Sequence, residues 1–434
     1  MELYSLFLQH PVISTDSRNC QAGSIFFALK GEKFNANAYA LSALENGCSY
    51  AVIDEAEYAI DDRFILVENA LETLQQLATY HRKQLGVKVI GITGTNGKTT
   101  TKELIASVLS EGYNVHYTQA NLNNHIGVPL TLLQLKSHHQ IAVIEMGANH
   151  QGEIKLLAEI ACPDYGLITN VGKAHLDGFG SLDGVKQTKS ELYEYIFKNN
   201  GMIFINCDNV DLMEMSKRIG FDSDNENVRV YSIQPNNEEC FVNGEITNCS
   251  PFLEMSCRIL YERFEIKTNL IGTYNAENVM AAVAIGKYFG LYDNIIKNGL
   301  EKYIPQNNRS QLTITQKNKL VVDAYNANPT SMRAAILNFI QLKADKKTLI
   351  LGDMLELGEY SSLEHQNIVD LLQQNKINNV LLVGEDFSAT KNSYLNFNTI
   401  SELATYLNSQ PITDNYILIK GSRGIKLENV LPIL

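Results

Sequence analysis

Residues 89–101 read V-I-G-I-T-G-T-N-G-K-T-T-T, and this stretch decides the fold. An apolar run ends at a glycine turn, and a Lys-Thr-Thr start of a helix follows. Glycines let the backbone wrap a phosphate closely, while N–H groups and the helix N-terminus supply positive potential. Gly94, Thr95, Asn96, Gly97, Lys98, Thr99 and Thr100 are therefore expected to cradle a nucleotide. In that arrangement Lys98 neutralises the β- and γ-phosphates and the Thr99 hydroxyl holds Mg²⁺. The spacing G94-x-x-G97-K98-T99 is shorter than the usual G-x-x-x-x-G-K-[ST], because position 92 is Ile. A tight turn with an incidental lysine is the plainer reading, and the strand before and helix after weigh against it.

Working outward, IAVIE (141–145), YGLITN (165–170) and MIFIN (202–206) are short continuous apolar runs separated by helical stretches. That alternation predicts a mostly parallel sheet covered on both faces. Pro235–Ser250 is polar and turn-rich, a connection or decoration of a further β section; Asn275–Phe289 is an alanine-rich helix. Upstream, Ser24–Leu29, Tyr50–Ile53 and Phe64–Val67 read as strands, with helices over Asn37–Asn46 and Ala70–Leu85. Downstream of YIPQNN (303–308) come LVVDAY (320–325), TLILGD (348–353), NVLLVG (379–384) and YILIKG (416–421), a second doubly wound pattern. The expected fold class is α/β with three domains, at 1–86, 87–305 and 306–434: a small α/β unit, a central P-loop ATPase-type sheet, and a Rossmann-like unit.

The 434 residues carry 36 Lys+Arg against 48 Asp+Glu, a net charge of −12 that argues against a general nucleic-acid or anionic-membrane binder. Seven scattered cysteines without a C-x-x-C pair argue against a disulfide framework or zinc site and for reduced thiols. The first ten residues lack an export signal, and no apolar run is long enough for a membrane helix, so the expectation is a soluble cytoplasmic protein.

Polar groups gather at strand ends. Glu145 closes IAVIE, where a sheet of this kind holds Mg²⁺, though a solvated strand-end charge reads equally well. His175 follows YGLITN, and a lone histidine is more often a surface or satisfied core group. Both gain weight because they converge with the phosphate loop on one sheet edge. Lys189 lies on a helical stretch with Val185, Leu192 and Ile196 on one face, and residue physics does not separate it from Lys186. Asn121, Asn123 and Asn124 suit a loop binding substrate or phosphate oxygens, or a plain turn. In Asp323–Met332, Asn328-Pro329 ends a strand and Thr330 or Ser331 caps the next helix. Arg309, Asp323, Asp353, Lys420 and Arg423 are each ordinary surface charges singly, but together they sit at strand ends of the second sheet.

These segments resemble the Mur ligase superfamily: D16-S17-R18, G94–T100, N121-L-N-N-H-I-G-V-P-L-T131, E145-M-G, N170-V-G-K-A-H-L-D-G-F-G-S181, Y325-N-A-N-P-T-S-M332, L351-G-D-M-L-E-L-G358 and K420-G-S-R423. They run in order along nearly the whole chain, and YNANPTSM followed by LGDMLELG points to the branch that adds D-alanyl-D-alanine to UDP-N-acetylmuramoyl-tripeptide. The resemblance implies an N-terminal UDP-recognising domain, a central ATPase and a C-terminal Rossmann-like domain. It implies ATP and Mg²⁺ as cofactors, and a cytoplasmic role in peptidoglycan synthesis, cell shape and division. Its small-molecule partners would be the UDP-linked tripeptide and D-Ala-D-Ala, with no nucleic acid, and the chain acting as a monomer. By resemblance Lys98, His175 and Lys189 are catalytic, and Thr99, Glu145, His175 and Lys189 hold magnesium, Lys189 as a carbamate. Asn275 and Asn278 lie on the adenine side, and Arg309 and Asp323 reach the nucleotide from the C-terminal domain. Ser17, Arg18, Asn121, Asn123, Asn124, Asn326, Lys420 and Arg423 face substrate. Tyr274 stands where the family often has histidine, and Asn35-Ala36-Asn37 replaces a familiar D-G-H segment. The rival readings are a sister ligase joining another acid and amine, and a nucleotide-switch NTPase indifferent to any amine.

Overall fold

The computed structural model describes residues 2–434 apart from 223–224, 236, 238, 260–261 and 307–308. The boundary stretch YIPQNN thus has its last two residues outside the described ones, as Pro235–Ser250 has two of its own. A four-stranded parallel sheet runs in the order Ile13–Ser14, Ile25–Phe27, Tyr50–Ile53, Phe64–Leu66. The helix Ala70–Leu85 begins where the Asn69 side chain accepts the N–H groups of Leu71 and Glu72, and ends at left-handed Gly86. The helix expected over Asn37–Asn46 is instead a 3₁₀ turn, Ala36–Tyr39, leading into Ala40–Glu45. The reason is local: the Asn37 side chain exchanges hydrogen bonds with Asp54 (2.8 and 3.0 Å), and Asn35 caps the turn.

The central sheet has nine strands in the order Glu262–Lys267, Leu253–Ile259, Val242–Cys249, Val228–Ser232, Met202–Asn206, Tyr165–Ile168, Lys88–Thr93, Ile141–Glu145, Val115–Tyr117. It is parallel from Val242–Cys249 onward and antiparallel in the first three, which the polar segment 235–250 feeds. Register pairs Ile92 with Glu145 and Thr93 with Ile168, so these carboxyl ends share one edge. The helices Lys98–Leu109 and Ala276–Tyr288 pack apolar side chains such as Leu104, Ile105, Val279 and Val283 on one face. Glu153–Ala161 and Leu182–Lys198 cover the other, where the core is continuous with Leu74, Leu77 and Ala78 of the helix Ala70–Leu85. Arg82 pairs with Asp164 at 2.6 Å across the same seam.

The third sheet runs Gln311–Ile314, Asn318–Asp323, Asn415–Lys420, Lys347–Gly352, Val380–Val383, Leu395–Phe397, parallel except for its first strand. Its buried strands (Leu320, Val322, Leu349, Leu351, Ile417, Ile419) hold Asp323 and Lys420 at their carboxyl ends. In open α/β sheets ligands bind at those ends, and here they turn toward the phosphate-loop edge of the central sheet. The helix Pro329–Gln341 is capped by Asn328, not by Thr330 or Ser331. Asn328 accepts the Ser331 N–H at 2.8 Å while the Ser331 hydroxyl accepts the Asn328 N–H, because an extended residue before Pro329 is the one placed to cap.

Candidate active site

A cleft of about 840 Å³ opens between the central and C-terminal sheets. The loop after Lys88–Thr93 forms its floor. Gly94, at φ 144, lies against Thr169, where a Cβ would collide with the Thr169 hydroxyl. Thr169 donates to the Asn96 carbonyl (2.6 Å), and Asn170 accepts the N–H groups of Thr95 and Asn96 (both 2.9 Å). Gly97, at φ 77, sits directly over Asn278, whose Oδ1 lies 2.6 Å from where a Cβ would stand. Asn278 in turn accepts the Thr101 hydroxyl and donates to Asn275, which donates to the Ile271 carbonyl. These two asparagines, expected on the adenine side, thus also brace the phosphate loop from below. Lys98 folds its Nζ onto the carbonyls of Gly94 and Thr95 (2.7 and 3.1 Å), and desolvation lowers its pKa against the opposing pull of Glu145.

Glu145 is buried at the end of its strand. Its Oε1 accepts the Asn123 amide at 2.8 Å, while Oε2 is buried without a hydrogen-bond partner and stands 3.9 Å from the Lys102 ammonium. An orphaned carboxylate oxygen facing a phosphate loop is what a hard divalent cation needs. Asn124 spends its Oδ1 on the N–H groups of Ile126 and Gly127 and shapes the loop, while Asn121 lines the cleft.

His175 adopts a left-handed conformation (φ 49), and its Nδ1 meets the Glu356 carboxylate of the C-terminal domain, itself at φ 65. Lys189 is not one of the residues that line the cleft but is buried within electrostatic reach of Lys98 and Glu153, which do, with Nζ 5.4 Å from the Phe179 ring centre. Burial, aided by the charge of Lys98, pushes its amine down to about 7. Lys186 is by contrast half-buried and paired with Asp211 at 2.5 Å. The two lysines that sequence left undivided are separated by burial.

From the C-terminal side, the Arg309 guanidinium stacks on the Tyr325 ring at 3.6 Å, with Arg423 5.6 Å from the same ring. Asp323 accepts the buried Lys420 ammonium at 2.6 Å and the Ser310 N–H at 3.3 Å. Arg309, Asp323, Asn326 and Lys420 all line the cleft; Arg423 stands beside it. Ser17 and Arg18 lie on the first sheet's loops, outside the cleft, and exposed Arg18 forms a forked pair with Asp16 that holds that carboxyl down at about 2. Asp353 is buried and accepts the N–H groups of Asp386 and Phe387, a structural use.

Sequence reasoning missed Lys102, Glu356, Glu277 and Asn209. Lys102 is 1% exposed, with Nζ on the Thr118 carbonyl, and nothing in a helix sequence distinguishes such a lysine from a solvated one. Glu356 lay within the quoted LGDMLELG segment, but only the meeting of two domains brings it to His175. Glu277 and Asn209 line the cleft from separate elements, and burial with nearby Asp208 raises Glu277 to about 7.

Comparison with known proteins gives this geometry a family. Residues 92–286 match the Mur ligase middle domain, and residues 308–423 match the Mur ligase, glutamate ligase domain. The chain is 33% identical to the UDP-N-acetylmuramoyl-tripeptide–D-alanyl-D-alanine ligase of Bacillus subtilis (strain 168), over 97% of this chain and 92% of that one. It is 33% identical to the enzyme of that name from Escherichia coli (strain K12), over 100% and 95%. Among solved structures it superposes on MurF from Acinetobacter baumannii (TM-score 0.85, 32% identity, 97% and 92% covered). It likewise superposes on MurF ligase from Thermotoga maritima in complex with ADP (TM-score 0.86, 25% identity, 98% and 97%). The chain belongs to the Mur ligase superfamily, in its UDP-N-acetylmuramoyl-tripeptide–D-alanyl-D-alanine ligase (MurF) family.

Proposed function

We propose that this chain joins D-Ala-D-Ala to UDP-N-acetylmuramoyl-tripeptide, cleaving ATP to ADP and phosphate, as a monomer in the cytoplasm and in the service of peptidoglycan precursor synthesis. The observation that carries the reading is one cleft in which a phosphate loop and a buried carboxylate with one oxygen lacking a hydrogen-bond donor face the cationic strand ends of a second sheet. The residues fit Mg²⁺, since the Glu145 Oε2 left without a donor is an anionic ligand awaiting a cation. Glu145, Thr99, His175 and carbamylated Lys189 would hold it. Bound there, it neutralises phosphate charge and so lets a carboxylate approach.

The tripeptide's terminal carboxylate attacks the γ-phosphorus, the bond to the β-phosphate oxygen breaks, and an acyl phosphate and ADP result. Lys98 leaves the carbonyls of its own loop for the phosphates and offsets the repulsion of two anions. The dipeptide amine then attacks the acyl carbon, phosphate leaves with the electron pair, and the amine gives up a proton. Arg309 and Asp323 close on the nucleotide from the C-terminal side and Asn326, Lys420 and Arg423 on the incoming amine's side, excluding water from the acyl phosphate. Asn121, Asn123 and Asn124 shape the wall for the tripeptide, and the first domain, with Ser17 and Arg18, receives its UDP end. A neutral Lys189 amine adds to CO₂ with loss of a proton, and its depressed pKa supports that modification. Isothermal titration with MgADP, native against Lys98→Ala, tests the nucleotide part: tight native binding lost in the variant is expected, and equal binding would count against it.

A further inference from the structure

Cys207 and Cys240 lie 33 positions apart, yet their sulfurs stand 3.0 Å from one another. Cys207 follows the strand Met202–Asn206, and its N–H is fixed to the Tyr231 carbonyl at 3.0 Å. Cys240 sits on the loop that crosses the carboxyl end of Val228–Ser232, anchored by the Phe241 N–H on the Val230 carbonyl (2.9 Å). The two backbones are therefore held on either side of one strand, and a bond between the sulfurs requires closing only about 1 Å to the usual ~2.05 Å. Both thiols are partly accessible, whereas Cys48 and Cys257 are buried and desolvation raises them.

We propose that Cys207 and Cys240 are a reversible oxidation site, a dithiol that hydrogen peroxide converts to a disulfide within the folded protein and that tunes the nucleotide cleft. Cys207 is the attacking thiolate. Contact with the Cys240 sulfur lowers its pKa against the opposing effects of burial and of the Asp208 charge, and the Asn237 amide donates to its sulfur at 3.6 Å. The same contact pushes the Cys240 thiol up and leaves it protonated. The Cys207 sulfur attacks one peroxide oxygen and the O–O bond breaks. Cysteine sulfenic acid and hydroxide form, and the hydroxide takes a proton to become water. The Cys240 sulfur then attacks the Cys207 sulfur, the S–O bond breaks, and a second water leaves with the Cys240 proton. Sulfur loses two electrons in total, and peroxide gains them. A dithiol reductant returns them by exchange through a mixed disulfide.

The consequence for the cleft follows from position. Asn209, two residues after Cys207, lines the cleft and caps the helix Val210–Ile219. Between them, Asp208 accepts the Ser232 hydroxyl and the Ile233 N–H. Drawing Cys207 toward Cys240 shifts this connected turn.

The test is peroxide treatment of the full-length reduced protein, followed by non-reducing peptide mapping and intact mass. A product about 2 Da lighter, with a Cys207–Cys240 linked peptide that dithiothreitol abolishes, is expected before the other five cysteines react. Linkage seen only in denaturant, or Cys207 passing to sulfinic acid without linkage, would overturn the site. Cys240→Ser should keep basal activity and give a persistent sulfenic acid at Cys207. The second readout rests on the ligase reading, whereas the linked peptide does not: oxidation should raise KM for ATP in the native chain and leave Cys240→Ser unchanged. A linked peptide with unchanged KM would overturn the tuning of the cleft while leaving the oxidation site standing.

Discussion

Lys98, Glu145 and Lys189 are three charges whose neighbours are each incomplete in a different way. Lys98 has only carbonyls, Glu145 has one oxygen without a donor, and Lys189 makes no ion pair among the described residues. Lys98→Ala should lower kcat by ~10²–10³, the usual effect of losing one preorganised charge at a developing anion, as steady-state phosphate release would show. Glu145→Gln keeps the Asn123 contact but not the charge, so it should fold normally and need far more Mg²⁺ for half-maximal activity. An unchanged Mg²⁺ titration would remove Glu145 from the metal site. For Lys189 the sign is set by its amine: charged below about 7 and neutral above it. Only the neutral form adds CO₂, so a carbamate signal from ¹³C-bicarbonate should grow as pH rises through that value and be absent in Lys189→Ala. Burial is what makes Lys189 special, and burial depends on Phe179 and the helix partners brought to it by the fold. Sequence alone therefore left it level with Lys186.

The strands and the phosphate loop were legible because their signals are local. IAVIE, MIFIN and YAVI are continuous apolar runs, and strand, glycine turn and helix follow one another within 89–101. Capping was less legible, since Asn328, Thr330 and Ser331 are all good capping types and only the backbone geometry selects one. Asn328→Ala should cost about 1 kcal/mol of helix stability, read as a melting point lower by roughly 2–4 °C. It should also weaken the Asn328–Asn96 contact (2.7 Å) that ties the C-terminal helix to the phosphate loop. At Gly97 a methyl group meets both a left-handed φ and Asn278, so Gly97→Ala should abolish nucleotide binding while circular dichroism stays native. The 3₁₀ turn at Ala36–Tyr39 escaped the sequence reading because the Asn37–Asp54 exchange that fixes it spans separate elements.

At the scale of the whole molecule, the central and C-terminal units are tied together across the cleft by Asn96–Asn328, Lys173–Glu364 at 2.7 Å and His175–Glu356. None of these pairs is visible in the sequence, because the partners are separated by 180 residues or more and belong to units built on different sheets. Lys173→Ala removes a tie outside the phosphate loop and should loosen closure. Small-angle scattering with MgADP should then give a larger radius of gyration than the native chain, and identical curves would show that this ion pair contributes nothing to closure. The central claim is that this cleft couples ATP cleavage to bond formation between a UDP-linked tripeptide and a dipeptide. Phosphate release from MgATP, measured with UDP-N-acetylmuramoyl-tripeptide and with or without D-Ala-D-Ala, tests it most directly. Release that requires both, with a product heavier by the dipeptide, is the expected result; release that ignores the dipeptide, or that another amine restores in its place, would contradict it.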